Sequence, residues 1–261
     1  MNLDSICRVL SEIAPLKRAE SWDNVGLIIG DRSAETSAVM TCLTIRPNVV
    51  DEAVDKGADL IVAHHPLPFR PLSKITTDSI TGSMLWQLIG ARVAVYSAHT
   101  AFDSAADGIN QSWAESIGLE GIRPLTEPNE QNELGAGRYG ILPNPQPAAE
   151  IIRRCGQHVG ASTLRGAGDT DQLVSKVGFA CGSGGSFVSD ASRRGCQLLI
   201  TGEATFHGCL EAEALGITLG LLGHYQSERF AMERLAERLS NTFPDLSIWS
   251  SESEHDPIST L

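Results

Sequence analysis

The feature that most constrains the fold is a segment that occurs twice. The stretch "DEAVDKGADLIVAHH" (residues 51–65) aligns with "SDASRRGCQLLITGE" (residues 189–203). Each copy has a helix-like stretch that ends at a glycine, Gly57 or Gly195, and then an apolar run of strand length. Glycine readily ends a helix in the left-handed conformation, so both copies predict a helix followed by a buried strand.

The similarity extends to the next element of each half. The stretch "IGARVAVYSAHTAFD" (89–103) aligns with "LGITLGLLGHYQSE" (215–228) when a one-residue gap is placed near Ser97. Each stretch contains a glycine, an apolar strand, a histidine and, four residues later, an acidic residue. Strands that alternate with helices predict an α/β fold with parallel or mixed sheets. We therefore expect two similar α/β halves, with a metal site at the strand ends in the cleft between them.

The predicted boundary lies near residue 127, which gives a first half of residues 1–127 and a second half of 128–261. It falls at the start of a stretch that is first rich in Pro, Gly, Asn and Gln and then becomes helical near Ala148. Apolar spacing predicts further elements. These are helices over 3–13, 48–58, 108–118 and 228–239, and strands over 37–45, 59–63 and 92–98.

Composition excludes several classes of function. Of 261 residues, 42% are hydrophobic, which is enough for a sizeable core, and no apolar run reaches the roughly 18 residues of a membrane span. The formal charge of -12 argues against nucleic-acid binding, which needs many Lys and Arg contacts with phosphates. The N-terminus lacks a signal-peptide pattern and the six cysteines form no C-x-x-C pair, so we expect a cytoplasmic protein with reduced thiols.

Five of the seven histidines, together with three acidic residues, fall at the predicted strand ends. They are His64, His65, His99 and Asp103 in the first half, and Glu203, His207, His224 and Glu228 in the second. Imidazole nitrogens and carboxylate oxygens are ligands for Zn, Mn, Fe, Co and Ni. With no cysteine expected nearby, the ligand set is N/O rather than S. The alternative is that these histidines cap strands and satisfy hydrogen bonds in the core.

The adjacent pair His64–His65 favours two ions over one. Neighbouring side chains on a strand point to opposite faces, but the backbone turns at the strand end, where Pro66 ends the hydrogen-bond ladder. One imidazole can then serve each of two ions, with carboxylates bridging them. Paired ions about 3.5–4 Å apart are a recurring hydrolytic device.

Two loop segments each allow two interpretations. The stretch "ACGSGGSF" predicts either a tight strand-to-helix turn or a cradle for a substrate phosphate. Asp23 and Asn24 in "SWDNVGL" predict either a structural turn or residues that line the site.

Two further histidines are assigned by their surroundings. His207 follows Glu203 by four residues, so the two are expected on one helical face, where His207 either reaches the cleft as a proton donor or is only the partner of Glu203. His255, in the acidic tail, is expected at the surface.

These motifs together resemble the dinuclear-metal-centre proteins known as GTP cyclohydrolase I type 2 homologues, the Nif-like, NGG-interacting-factor family. The resemblance covers essentially the whole chain, and the His-His-Pro, His-Thr-x-x-Asp and Gly-His-x-x-x-Glu motifs in this order are highly specific. The matching stretches are "SWDNVGLIIGD", "GADLIVAHHPL", "HTAFD", "GSGGSF", "LLITGEATFHG", "GHYQSE" and the tail "SESEHDP". The chain is similar to the short form of the family, without the domain that some members carry between the halves.

The resemblance implies the metal ligands and the assembly. It implies two divalent ions per chain, of unspecified identity, and a toroidal homohexamer with its sites facing an internal cavity. The implied ligands are His64, His65, Asp103, His224 and Glu228. His99 belongs to a family motif without being one of these five, and Glu203 stands where many members have Asp, which leaves its role open.

Two functions follow from this pattern, and a third interpretation remains. The first is a metal-dependent hydrolase of a nucleotide or similar small polar substrate, in which His99, Glu203 or His207 moves protons. The family name implies opening of the GTP ring with release of formate. The second is a non-enzymatic protein for metal binding, metal delivery or ring-shaped scaffolding, with the same ligands. The third leaves the histidines as polar groups of the core.

Overall fold

The computed structural model describes residues 1–126 and 135–259. The chain divides into two compact units, Met1–Phe102 with Ala231–Pro257, and Asp103–Phe230 with the residues from Ile258. The boundary predicted near residue 127 lies outside the described residues and stays a prediction.

Helices and strands alternate through most of the described chain. The helices are α1 (Leu3–Ile13), α2 (Pro47–Asp55), α3 (Ile80–Gly90), α4 (His99–Ser104), α5 (Ile109–Ser116), α6 (Ala148–His158), α7 (Val188–Arg193), α8 (Phe206–Ala214) and α9 (His224–Thr242). The strands are β1 (Gly26–Ile29), β2 (Ala38–Thr44), β3 (Leu60–His65), β4 (Ala94–Ser97), β5 (Glu120–Arg123), β6 (Arg138–Pro147), β7 (Arg165–Ala167), β8 (Leu173–Ala180), β9 (Leu198–Thr201), β10 (Thr218–Leu221) and β11 (Ser247–Ser250).

The first unit is built on a five-stranded sheet in the order β1-β4-β3-β2-β11. Strands β2, β3, β4 and β11 are parallel, and β1 is antiparallel at the edge. Strand β3 lies at the centre and is buried on both faces, which explains its uninterrupted apolar run "LIVA". Its pairing with β2 sets Thr44 opposite His65, so the central strand delivers both histidines at its carboxyl end.

The second unit contains a six-stranded sheet in the order β5-β6-β8-β9-β10-β7. Its core strands β8, β9 and β10 are parallel, whereas β5, β6 and β7 run antiparallel to their neighbours. Both sheets are therefore mixed, and the predicted α/β class with two similar halves is confirmed.

The repeated segment folds as its pattern predicts. In the first unit α2 is followed by Gly57 at φ +67° and then β3, and in the second α7 is followed by Gly195 at φ +71° and then β9. Both glycines have the left-handed conformation that ends a helix without a Cβ penalty. The order α3-β4-α4 of the first unit likewise matches α8-β10-α9, so each unit presents a histidine as the first residue of a helix that follows a buried strand.

The amphipathic first helix shows how sequence spacing sets local structure. Asn2 caps α1 by accepting a hydrogen bond from the Ser5 amide, and Leu3, Ile6 and Leu10 are buried along one face. No helix among the described residues is long and apolar enough to cross a membrane.

Candidate metal centre

The carboxyl end of β3 brings two imidazoles together. The ring centroids of His64 and His65 are 5.0 Å apart with an interplanar angle of 57°, and His64 is only 1% exposed. The Ser97 hydroxyl donates to the carbonyl oxygen of His64 at 2.6 Å, and Thr44 Oγ1 lies 2.7 Å from His65 Nδ1. These contacts fix the strand end and the orientation of the His65 ring.

His99 adds a third imidazole to this group. Its ring centroid lies 5.2 Å from that of His64 and 5.5 Å from that of His65. One ligand nitrogen from each of the three residues lies within 4.8 Å of the other two. Three convergent nitrogens are a donor set that suits divalent zinc, iron, nickel or cobalt.

Asp23 holds His99 in place. Its buried carboxylate lies 2.8 Å from His99 Nδ1 and accepts hydrogen bonds from the Thr100 amide at 3.1 Å and the Thr100 hydroxyl at 2.5 Å. Burial raises the pKa of Asp23, but the bonds from His99 and Thr100 outweigh this effect and lower it overall. His99 itself has φ 28°, a conformation that L-residues rarely adopt, and the contacts of Asp23 with His99 and Thr100 hold it there. Asp23 is therefore a positioning residue for His99.

The second unit surrounds one histidine with two carboxylates. His224, the first residue of α9, has Nδ1 2.9 Å from Glu203 Oε1 and Nε2 3.1 Å from Glu228 Oε2. The hydrogen bond with Glu228 is the largest cause that raises the pKa of His224, to about 9; burial opposes the rise and Glu203 adds to it. The two carboxylates thus stabilise positive charge here, which is the electrostatic property that a cation site needs.

Glu203 contacts the Nδ1 side of the His224 ring, opposite Glu228. Its carboxylate also accepts a hydrogen bond from the Ser183 hydroxyl at 2.6 Å. The bond with His224 is the main cause that lowers the pKa of Glu203, followed by the bond from Ser183. Histidines that bind metals usually have their other nitrogen held by such a carboxylate.

The glycine-rich stretch is explained by close packing. Gly182 has φ +60°, and a Cβ at this position would overlap Glu228 Oε1 and lie 3.3 Å from His224 Nε2. A Cβ at Gly185 would lie 2.6 Å from that of Ala204. The amides of Cys181 and Gly182 already donate to Asn110 and Ser227, and a short 3-10 helix leads from Gly184 into α7. These contacts favour the tight turn over the phosphate cradle.

A cysteine lies beside the acidic residues, contrary to the sequence-based expectation. The thiol of the half-buried Cys181 donates to Asp103 Oδ1 at 3.2 Å. Burial raises the pKa of the thiol well above its usual range, and the charges of Asp103 and Glu228 raise it further, so the sulfur stays protonated. Asn110 donates to the Asp103 carbonyl oxygen at 3.2 Å and accepts from the Cys181 amide. No sequence spacing pointed to Cys181 or Asn110. Because the Cys181 thiol stays protonated, the ligand set remains N/O.

His207 and His255 belong to neither of these groups. The expectation that Glu203 and His207 share a helical face is wrong, because α8 begins only at Phe206 and Thr205 caps it. The exposed His207 ring packs edge-on against Phe206 at 5.7 Å. His255 is exposed, as predicted.

The donors fit the metal ions that the sequence motifs imply. The first unit offers a compact group of imidazole nitrogens, and the second offers Glu228 and His224, with Gly182 leaving room for the carboxylate. All are nitrogen or oxygen donors, as divalent transition metals prefer.

Comparison with known proteins identifies the family. A model of the Duf34/NIF3 (NGG1p interacting factor 3) family matches residues 1–257. The chain belongs to the NIF3 family. A GTP cyclohydrolase 1 type 2 homolog of Clostridium perfringens is 33% identical to this NIF3 family member over 258 residues, covering 98% of each chain. The resemblance inferred from the motifs is thereby confirmed.

Two further comparisons concern names and fold. A Helicobacter pylori protein named GTP cyclohydrolase 1 type 2 is 32% identical over 227 residues, which cover 85% of this NIF3 family chain and 84% of that protein. The crystal structure of a Bacillus cereus protein related to NIF3 matches with a TM-score of 0.90 at 21% identity, covering 100% of this chain and 99% of that one. The structural match shows that the fold is shared.

Proposed function

We propose that the protein binds two divalent metal ions and uses them to hydrolyse a small polar substrate, with a nucleotide as the favoured class. The observation that carries the proposal is the group of three imidazoles in the first unit, whose ligand nitrogens lie within 4.8 Å of one another. The proposed ligands are His64, His65, Asp103, His224 and Glu228.

Each unit supplies a different part of this ligand set. The first contributes the imidazole nitrogens of His64 and His65, and the second contributes His224 and the carboxylates of Asp103 and Glu228, which would offset the charge of the ions. Glu203 is assigned as a positioning residue, because it contacts His224 Nδ1, whereas the proposed ligand Glu228 lies on the Nε2 side of the ring. This role replaces proton transfer as the favoured one for Glu203.

The chemistry requires an activated water and groups that move protons. Bound divalent ions would polarise the substrate and lower the pKa of a water molecule. His99 is the favoured proton carrier, since Asp23 orients its ring and the ring contacts those of His64 and His65. His207 is the second candidate. Relatives named for GTP cyclohydrolase 1 type 2 support a reaction in which water attacks the imidazole carbon of GTP and formate is released.

Assembly and location are part of the proposal. We propose a toroidal homohexamer, which sedimentation velocity tests directly, because a mass six times that of one chain is expected. All six cysteines lie within the described residues and none forms a disulfide, which supports a reducing compartment such as the cytoplasm.

The decisive experiment measures metal first and turnover second. Purified protein is analysed for bound elements, and we expect about two ions per chain. His65→Ala and Glu228→Ala are expected to retain at most one. His255→Ala is the matched control, because this exposed histidine contacts the tail carbonyl of Ser253 and should retain the wild-type content.

Turnover is then screened with GTP and a panel of nucleotides and phosphoesters, with Zn, Mn, Fe or Co restored. Formate release that disappears in Asp103→Ala and Glu228→Ala supports the hydrolase. Two ions with no turnover on any substrate would replace it with the metal-binding, delivery or scaffold function. Less than one ion per chain with every metal contradicts both.

A further inference from the structure

We infer that Trp22 and Phe69 form a stacking platform that receives a planar heteroaromatic ring of the substrate beside His99. The inference deepens the proposed function, on which it rests, by assigning two residues that recognise the ring rather than the phosphates or the reacting atoms. It concerns the first unit alone.

Three rings meet at this corner of the first unit. The ring centroids of Trp22 and Phe69 are 5.9 Å apart with an interplanar angle of 48°. His99 stands edge-on to both, at 6.0 Å and 76° from Trp22 and at 5.9 Å and 72° from Phe69. The platform is thus continuous with the imidazole group, because His99 is also in ring contact with His64 and His65.

Both aromatic side chains are unusually exposed for their type. Trp22 is 60% exposed and Phe69 is 48% exposed, although each could bury a large apolar area in the core. Adjacent exposed apolar rings next to polar functional groups mark ligand sites more often than isolated surface residues do. Their faces are therefore available to a partner.

Hydrogen bonds made by the sequence neighbours of Trp22 and Phe69 hold the platform. Asp23, next to Trp22, binds His99 and Thr100 through its buried carboxylate. Asn24 Nδ2 donates to the carbonyl oxygen of Pro68, next to Phe69, at 2.8 Å. The segment that carries Trp22 is thereby fixed to the segments that carry the other two rings. Such fixed side chains lose little entropy when a ligand binds.

The chemistry of the surface selects the class of ligand. Aromatic faces stack on planar rings whatever their substituents, and stacking of a base on an aromatic side chain is worth about 1–3 kcal/mol. His99 is steeply inclined to both rings, and the exposed parts of Trp22 and Phe69 can contact a planar ring beside it. A ring held there would place its heteroatoms next to the imidazole group.

The experiment uses 5-fluorotryptophan-labelled full-length protein, titrated with guanosine. Guanosine has a base but no phosphate, so its binding to the platform does not depend on bound metal, and the titration is run with and without metal. The chain contains four tryptophans, and the four fluorine resonances are assigned with Trp→Phe variants. We expect the Trp22 resonance to shift saturably in both titrations. Trp86, which is 63% exposed on α3, is the matched control and should not respond.

Variants quantify the contribution of each ring. Trp22→Ala and Phe69→Ala are each expected to raise the Kd for guanosine roughly 5- to 150-fold, and Trp22→Phe to retain most of the affinity. Trp86→Ala should leave the Kd unchanged. A Trp22 resonance that does not move up to the solubility limit of guanosine overturns the inference, and so does a Kd that is unchanged in Trp22→Ala.

Two other results overturn the inference in favour of a different partner. Saturable binding of tetramethylammonium in place of guanosine would make the rings a cation site. A smaller assembly for Trp22→Ala with unchanged guanosine affinity would make them a contact between copies of the chain. Elemental analysis of the same wild-type sample separates these outcomes from failure of the proposed function, which would appear as lost metal with guanosine binding intact.

Discussion

The two units place different donors on the same order of strands and helices. In the first, the strand of the repeat ends in His64 and His65; in the second, the aligned positions are Gly202 and Glu203. The imidazoles of the first unit lie close together, with His64 only 1% exposed and its ring centroid 5.0 Å from that of His65. The carboxylates of the second unit instead require donors, which Ser183 and His224 provide to Glu203.

The units nevertheless share one device, a carboxylate that holds Nδ1 of a histidine at a helix start. Asp23 does this for His99, and Glu203 does it for His224. Glu203 lies inside the repeat, whereas Asp23 precedes it, so alignment of the repeats does not relate the two acids. The same contact, between a carboxylate and histidine Nδ1, is therefore made by acids at positions that the repeat does not relate.

The largest effect is expected for a substitution in the second unit. Gly182→Ala would drive a Cβ into Glu228 Oε1 and force that carboxylate away from His224. We expect metal affinity, measured by competition with a chelator, to fall more than about 100-fold, because a proposed ligand is displaced. Gly216→Ala is the matched control: its φ of +70° is similar, but no atom lies within 4 Å of the added Cβ. It should lose about 1 kcal/mol of stability and keep its metal. Equal metal loss in both variants would contradict the role of close packing.

The next prediction separates a structural carboxylate in the first unit from the proposed ligands of the second. The buried Glu52 on α2 accepts hydrogen bonds from the hydroxyls of Ser251 and Ser253 and from the backbone amides of Glu252 and Ser253. Burial raises the pKa of Glu52, but these bonds outweigh it and lower the pKa from 4.5 to about 2. The charged form therefore stabilises the fold above pH 4.5, and this contribution is lost as the pH falls from about 4.5 to about 2.

Glu52→Gln should lower the free energy of unfolding by about 3 kcal/mol at pH 7 and weaken its dependence on pH between 4.5 and 2. Urea unfolding followed by fluorescence measures both effects, since Trp249 Nε1 donates to Glu52. Glu252→Gln is the control, because this side chain is 76% exposed and its ion pair with Lys56 contributes less than about 1 kcal/mol. If the free energy of unfolding of Glu52→Gln falls between pH 4.5 and 2 as steeply as that of the wild type, another group causes the acid sensitivity.

A smaller effect is expected when the positioning carboxylates are neutralised. Asp23→Asn in the first unit and Glu203→Gln in the second keep the side-chain shape but weaken the hold on His99 and His224. Glu203→Gln should weaken metal binding by roughly 10- to 100-fold, as measured by isothermal titration with Zn²⁺. Asp23→Asn should leave the Zn²⁺ affinity nearly unchanged and lower turnover, because His99 is the favoured proton carrier and not a proposed ligand. Equal weakening of Zn²⁺ binding in both variants would assign His99 to ligation rather than proton transfer.

The smallest expected effect concerns His207. The exposed ring contacts Phe206 in the first turn of α8, so His207→Ala should leave the metal content of purified protein unchanged. His224→Ala, measured alongside it, should lower that content. Metal loss in His207→Ala would add this histidine to the proposed ligands.

Local patterns were sufficient for the architecture. The predicted helix over 3–13 is α1, and the predicted strand over 59–63 is the centre of β3, which extends to include both histidines. The helix predicted over 228–239 begins four residues earlier, at His224, so that this histidine and Glu228 lie one helical turn apart. These features follow from side-chain period and glycine position, which act over a few residues.

The sequence by itself determined the α/β class, the repeat and the clustering of histidines and acids at strand ends, because each depends on short-range spacing. Only the tertiary structure decided how those residues are held. The Asp23–His99 contact joins residues 76 apart, Cys181–Asp103 joins residues 78 apart, and Glu203–His224 joins residues 21 apart. Such pairs carry no local signature, because chain folding brings them together through the sheets and not through neighbouring sequence positions.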